Sequence, residues 1–335
     1  MTGGRRPAAG PWGDPERVRR VAGEALRRRG VTAADEIVAT LVETSLLGVH
    51  THGIRLLAAF LDELDRGVAD PAAEPAIAAD SGPVVRLDAR RALGVLAGLR
   101  AAGLAAERAD RYGVGVVGVN NSNHFGAAGH YARQIAAAGH LAVVTTSAAS
   151  RVAPFGGVEP LFGTNPLAVA YGPEFCLDMA TSQVCFNEIK ERRRAGRPLE
   201  HGWAVDADGR GTTAPDEATA LSPLGGYKGQ GLAMAVTMLT AVLVGGALDA
   251  EMEHDRSPVN REVYAGIRGS RRVRPPPATR QGTLAVYSPI TTAPVHGSRL
   301  SGHARSRAHR QSRRNDTHQL RMLRERMEQL PPEWG

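Results

Sequence analysis

The chain has 335 residues with 42% hydrophobic and only 4% aromatic side chains, enough for one large domain or two ordinary ones around an aliphatic core. Its two cysteines, Cys176 and Cys185, are too few for a disulfide framework and lack metal-ligand spacing. The net charge of +7 belongs to the tail: residues 255–335 carry 16 Arg, no Lys and 6 acids, which leaves −3 on residues 1–254 and gives the body no nucleic-acid character.

The elements begin with a helix opened by Asp14 as N-cap and Pro15 at the first helical position, with Val18, Val21, Ala22, Ala25 and Leu26 at helical spacing and Gly30 as the stop. Thr32 and Asp35 resemble a capping box for a second helix that carries Ile37, Val38 and Leu41 on one face. A third helix follows the HTHG segment, marked by Leu56, Leu57, Phe60, Leu61 and Leu64. Past Pro71 the pattern changes. Val84–Leu87 reads as a strand and Leu93–Arg111 as a helix, and strands and helices then alternate to about Val244. The apolar run Leu232–Val244 is 13 residues long, short for a membrane span of roughly 20, and reads as a buried helix. No apolar stretch of signal-peptide length stands at the start, so a cytoplasmic protein is the expectation. Three regions result: an N-terminal helical region over 1–70, an α/β core over 71–254 and an Arg/Pro-rich tail over 255–335.

Several segments carry chemistry. Gly113–Gly118 matches GxGxxG literally, but a helix precedes it, the glycines fall inside a strand and no acid follows about 20 residues on, so it is not a dinucleotide loop. His50-Thr51-His52-Gly53-Ile54-Arg55 joins two helices. An imidazole can exchange a proton near neutral pH and an arginine can grip a carboxylate, which suits a 2-oxo or 2-hydroxy acid; a metal held by His50 and His52 is the rival, and helix capping the bland alternative. His124 stands where the strand from Val114 ends, beside Asn123. Asp178, with Thr181 and Ser182 after it, ends another apolar strand and could orient an imidazole, bind a ribose or phosphate, or cap the next helix. Lys228 and Gly229, in LGGYKGQG, open a long apolar helix whose free amides suit an anion. Lys228 and Lys190 are the only lysines in a chain with 39 arginines.

Taken together, THGIR at 51–55, NSNHFGAAGHYA at 121–132, APFGG at 153–157, GTNPLA at 163–168, LDMATS at 177–182, GWAVDADG at 202–209 and LGGYKGQGLAM at 224–234 resemble the malate/L-lactate dehydrogenase family, the one that includes L-sulfolactate dehydrogenase, ureidoglycolate dehydrogenase, diketogulonate reductase and piperideine-carboxylate reductase. The resemblance covers residues 15–254. It implies an α/β, L-sulfolactate dehydrogenase-like fold that binds NAD or NADP without a Rossmann domain, and a cytoplasmic homodimer acting on a small 2-oxo or 2-hydroxy acid, with no metal, membrane or nucleic-acid partner. The site residues it implies are His52 and His124 for acid–base chemistry, with Arg55 and Asp178 beside them. Ser147, Asp178, Met179, Ala180, Lys228 and Gly229 would meet the cofactor, and Thr51, Asn123, Thr164 and Asn165 the substrate.

The chain departs from the family pattern at named places. Thr51 replaces a serine. Arg55 lies three residues after the histidine where many members have four, a turn of about 100 degrees on a helix. Thr146-Ser147-Ala148 stands for TNS, and Asn187-Glu188 for Gly-Lys. After His254 the motif order ceases, and the remainder reads as a tail translated from a shifted frame or of unrelated origin. With it goes the family's C-terminal cofactor segment, so a relative with impaired catalysis is the second reading and a basic-tail nucleic-acid binder a remote third.

Overall fold

The structure is a computed structural model that describes residues 14–242, 244, 248–249, 252 and 260–268. It opens with helices α1 (Pro15–Arg27), α2 (Ala34–Leu46) and α3 (Leu57–Asp65). The Asp14 carboxylate accepts the Glu16 N–H at 3.2 Å and Pro15 starts α1, as the sequence predicts. The predicted capping box does not form: Ala33 precedes α2 without a side-chain cap, and the Thr32 hydroxyl bonds to Glu74 instead at 3.3 Å. Leu26, Ile37, Val38, Leu41 and Phe60 close an apolar layer against Leu93, Val95 and Leu96 at the start of α4 (Gly94–Tyr112).

The core is a seven-stranded sheet built from β1 (Ala76–Asp80), β2 (Val84–Asp88), β3 (Val114–Ser122), β4 (His140–Thr146), β5 (Leu167–Tyr171), β6 (Phe175–Met179) and, last in the chain, β10 (Asn260–Arg268). Their order is β1-β2-β3-β10-β4-β5-β6. Only the β2–β3 pair is parallel, the one joined by a crossover helix, α4; the other five pairs run antiparallel. Helix α4 covers β3 and β10, and α5 (Ala128–Ala137) covers β4 and β5.

A dinucleotide fold of the doubly wound kind has a parallel sheet, so the rejection of the GxGxxG match holds. Gly115 and Gly118 lie within β3. A β-carbon on Gly115 would stand 2.2 Å from the Ala105 carbonyl oxygen, so this glycine serves the close approach of α4 to the sheet.

β10 lies beyond residue 254, where the sequence reading ends the core. Ala265 pairs with Val116 on one side and Val143 on the other, at the middle of the sheet. The core therefore includes residues 260–268 of the segment read as tail.

A three-stranded sheet, ordered β8-β7-β9, comes from β7 (Ala204–Val205), β8 (Gly211–Thr212) and β9 (Ala220–Leu221). With α6 (Phe186–Arg194) and α7 (Tyr227–Thr237) it encloses Val152, Phe162, Ile189, Trp203 and Leu221. The run Leu232–Val244 continues α7 as a π-helical turn over Met238–Val242. It differs from the buried helix expected, as Leu232, Met238 and Leu239 keep 36–41% of their surface exposed. Among the described residues no helix is long and apolar enough to cross a membrane.

Candidate active site

The HTHG segment forms a 3-10 turn, His50–His52, between α2 and α3. Gly53 lets it lie flat on α2: a β-carbon there would stand 2.1 Å from the Ser45 hydroxyl, which accepts the Ile54 N–H at 2.8 Å. From the sheet side, β3 ends at Ser122 and the chain turns through Asn123 and His124 toward α5. These two segments, 72 positions apart in the chain, bring the His52 and His124 rings to 5.9 Å between centroids, with Phe60 as a wall 6.3 Å from His124.

Both imidazoles are half-buried, and desolvation holds them neutral. Burial pushes His52 down to about 4. His124 falls to about 3 through burial first, then the charges of His52 and Lys190. The Gly126 N–H donates to His124 Nδ1 at 3.1 Å. Nδ1 thus has no proton in the neutral ring, which carries its hydrogen on Nε2 and is a donor there. His52 Nδ1 lies 2.9 Å from the Thr51 hydroxyl, which fixes the ring about its plane. The N-terminal turn of α6 locks this corner: Asn187 donates its amide N–H to the Thr51 carbonyl at 3.2 Å, and the Cys185 sulfur lies 3.9 Å from the Thr51 hydroxyl.

The other residues named from sequence are sorted by their partners. Arg55 is half-exposed and engaged by Glu191 on α6 at 3.0 Å, which takes it away from the role of carboxylate clamp. Asp178 accepts the Gly129 N–H at 2.9 Å, so its hydrogen bond goes to α5 and not to an imidazole. Crowding of its carboxyl raises its proton affinity, opposed by that N–H and by Arg133, although the residue keeps an exposed face at the end of β6.

Asn123 and Asn165 are corrected from substrate ligands to structural residues. Asn123 is 2% exposed and donates to the Arg91 and Ala92 carbonyls at 3.2 and 2.9 Å. Asn165 has no exposed surface; its amide accepts the Ala148 N–H and donates to Asp249, Thr237 and the Ala233 carbonyl. Ser147 is likewise fully buried and cannot face a cofactor. The Gly229 N–H is spent on the Leu224 carbonyl at 2.7 Å, so that amide is not available to a phosphate. Thr164 offers its carbonyl to the Thr181 N–H and hydroxyl. Met179 and Ala180 remain half-buried at the end of β6, and Lys228 is exposed in the first turn of α7, whose N-cap, Gly226, carries no side-chain cap. Among the described residues no group of three potential ligands could hold a metal ion.

Sequence reasoning missed Lys190. Its place four residues after Phe186 on a helix puts both on one face, and its ammonium lies 5.0 Å from the Phe186 ring centroid. The scarcity of lysine pointed to it as much as to Lys228.

Fold and site together define an α/β protein with a mixed, largely antiparallel sheet, in which a helical arm and a strand end present two neutral imidazoles to one another. Comparison with known proteins agrees. The family model described as malate/L-lactate dehydrogenase matches residues 14–316, well past residue 254 where the ordered motifs cease. L-sulfolactate dehydrogenase of Methanocaldococcus jannaschii is 35% identical over 240 residues, 70% of this chain and 69% of that protein. A 2,3-diketo-L-gulonate reductase of Citrobacter koseri is 30% identical over 314 residues, 90% of this chain and 94% of the reductase. The solved sulfolactate dehydrogenase of Methanocaldococcus jannaschii superposes with a TM-score of 0.70 at 32% identity, over 76% of this chain and 77% of that one. The chain belongs to the malate/L-lactate dehydrogenase family, and so to the oxidoreductases.

Proposed function

We propose that the protein interconverts a small 2-hydroxy acid and its 2-oxo acid with NAD or NADP. The observation that carries this reading is the pair of neutral imidazoles, His52 and His124, 5.9 Å apart. His124, with Nδ1 occupied by the Gly126 N–H, presents Nε2–H as a donor to the substrate oxygen and polarises it. His52 is the proton carrier. In the tautomer this role requires, Nδ1–H faces the Thr51 hydroxyl 2.9 Å away, and the Nε2 lone pair takes the hydroxyl proton in the oxidative direction and returns it in the reductive one.

The residues that suit a pyridine nucleotide are Met179 and Ala180 at the end of β6 and the first turn of α7, where the helix start has no side-chain cap and Lys228 adds a positive charge. The chemistry such a cofactor supplies when bound is hydride transfer at the substrate carbon. This chain's residues bind it, hold the substrate oxygen and move the proton. A cytoplasmic homodimer, which the family resemblance implies, belongs to this reading; the exposed Leu232, Met238 and Leu239 support a covered face along α7 and the π-helical turn after it.

The test is His52→Asn. A lost acid–base group lowers kcat by about 10²–10⁴-fold, while NADH and NADPH binding, followed by fluorescence titration, stays within about threefold. Equal loss of turnover and cofactor affinity would remove His52 from proton transfer.

A further inference from the structure

Four non-glycine residues among those described hold a positive φ, and three of them, Arg90 (53°), Arg91 (66°) and Asn121 (54°), meet at one junction. Arg90 and Arg91 follow β2, and Asn121 stands near the end of β3, three residues before His124. The Arg91 N–H donates to the Asn121 carbonyl at 2.9 Å, and the Ala89 N–H to the Asn120 carbonyl at 2.8 Å. The Asp88 carboxylate accepts the Arg90 N–H at 2.8 Å and the Asn121 amide at 3.0 Å. Left-handed backbone is unfavourable for a residue with a β-carbon and persists only where its surroundings over-determine it.

Arg91 carries this junction across to the helical arm. Its carbonyl accepts the Asn123 amide at 3.2 Å and the Asp70 N–H at 2.8 Å. Its guanidinium donates to the Gly67 carbonyl and, at 3.2 Å, to the Val68 carbonyl, just past the C-terminal end of α3. Before the other end of α3, the His52 carbonyl lies against Gly126, where a β-carbon would stand 3.5 Å from it. The helix and the turn that precedes it are thus held to the His124 loop at two points, Gly126 and Arg91. Between them stand His52 and Phe60, the two rings that face His124. The hydrogen bonds of Arg91 run to the backbone and to the Asn123 amide, none to either imidazole, so it acts through α3 and the loop.

We infer that Arg91 is a positioning residue of the site: by tying the far end of α3 to the strand end that carries His124, it sets the separation of the two imidazoles and keeps water out from between Phe60 and His124. This rests on the dehydrogenase reading above. Sequence reading passes over Arg91, since one arginine among 39 in this chain gives no signal and its partners lie more than 20 positions away on either side.

The experiment uses the full chain and its Arg91→Gly variant. Glycine takes a positive φ without strain, so the backbone bonds are kept and only the guanidinium is lost. With pyruvate and oxaloacetate as substrates, kcat should fall about 10-fold or more, as small misplacements of reacting groups are costly, while KM for NADH and NADPH stays within about threefold. Arg91→Lys, which can still reach one carbonyl, should lie between, and is read in the same way if the glycine variant does not fold. Nitrogen-15 NMR of the histidine rings needs no turnover. Burial holds both rings low in the wild type; in Arg91→Gly, His124 should titrate closer to the ordinary value of about 6.5. The charges that reach His124, those of His52 and Lys190, are untouched by the substitution. A His124 ring that titrates as in the wild type overturns the inference, whatever happens to stability. So does an unchanged kcat in an active enzyme. If the wild type reduces neither oxo acid, a raised His124 titration still supports the positioning role, and only the dehydrogenase reading fails.

Discussion

Two imidazoles held neutral by desolvation set the chemistry at the scale of single residues. At neutral pH the site holds a ready base, so hydroxyl oxidation can begin without prior deprotonation, whereas reduction needs His52 to gain a proton. A substrate anion beside it favours that protonation. The same depression acts on stability. His52 and His124 titrate near 4 and 3 in the folded chain and near 6.5 when unfolded, so between these values the unfolded chain binds more protons. The stability they contribute is complete above about pH 6.5 and is lost as pH falls toward 3. Asp249 works in the opposite sense. Burial raises it to about 6, so it favours the folded state below the unfolded carboxylate value and loses that contribution as pH rises through 6. The histidine effect is isolated by difference: the stability of wild type relative to His124→Asn should grow from pH 4 to 6.5 and level off above 7. Urea denaturation across this range checks it; a difference that shrinks with pH would show that the ring is not held neutral.

Between elements, fit depends on small residues that admit large ones. Phe125, Tyr131 and Tyr264 pack with ring centroids 5.2–6.5 Å apart, joining the loop after His124, α5 and β10. The Tyr131 hydroxyl donates to the Phe125 carbonyl, which ties this group to the loop that carries His124. Gly98 of α4 makes room: a β-carbon there would stand 2.6 Å from Tyr131 and 2.9 Å from the Tyr264 hydroxyl. Gly98→Ala should cost about 1–3 kcal/mol through overpacking, although alanine is the better helix former. A thermal or urea midpoint at or above wild type would show that the rings move aside freely.

Across the whole molecule, the last described strand joins the two halves of the main sheet. β10 enters between β3 and β4, which otherwise share no ladder. Without it both strands would expose a row of unpaired amides and carbonyls. A chain ended at residue 254 should lose cooperative unfolding followed by circular dichroism; a wild-type transition in that variant would make β10 dispensable. A second long-range tie is the buried group in which Asp249 accepts from Gly163, Asn165 and Thr237 at 2.7–3.0 Å. It joins the GTNP turn to α7 and to the chain after it, and explains why Asn165 is committed to structure.

What the sequence determined by itself was local or was carried by motif order. Asp14 and Pro15 announced α1, the apolar spacing marked α2 and α3, and the change of pattern past Pro71 placed β2 and α4 within a residue or two. The family was legible because seven motifs stand in one order. The tertiary structure decided what depends on partners remote in sequence. Strand β1 has four exposed positions out of five and so no readable alternation, and NREVYAGIR is too short and too mixed to announce a central strand. Hydrogen-bond partners likewise separate Asn123 and Asn165, spent inside the core, from His124, left facing His52. The approach of Lys190 and Arg151 to one ring arises from the packing of α6 on the small sheet, since 39 positions separate them in the chain and no periodicity links them.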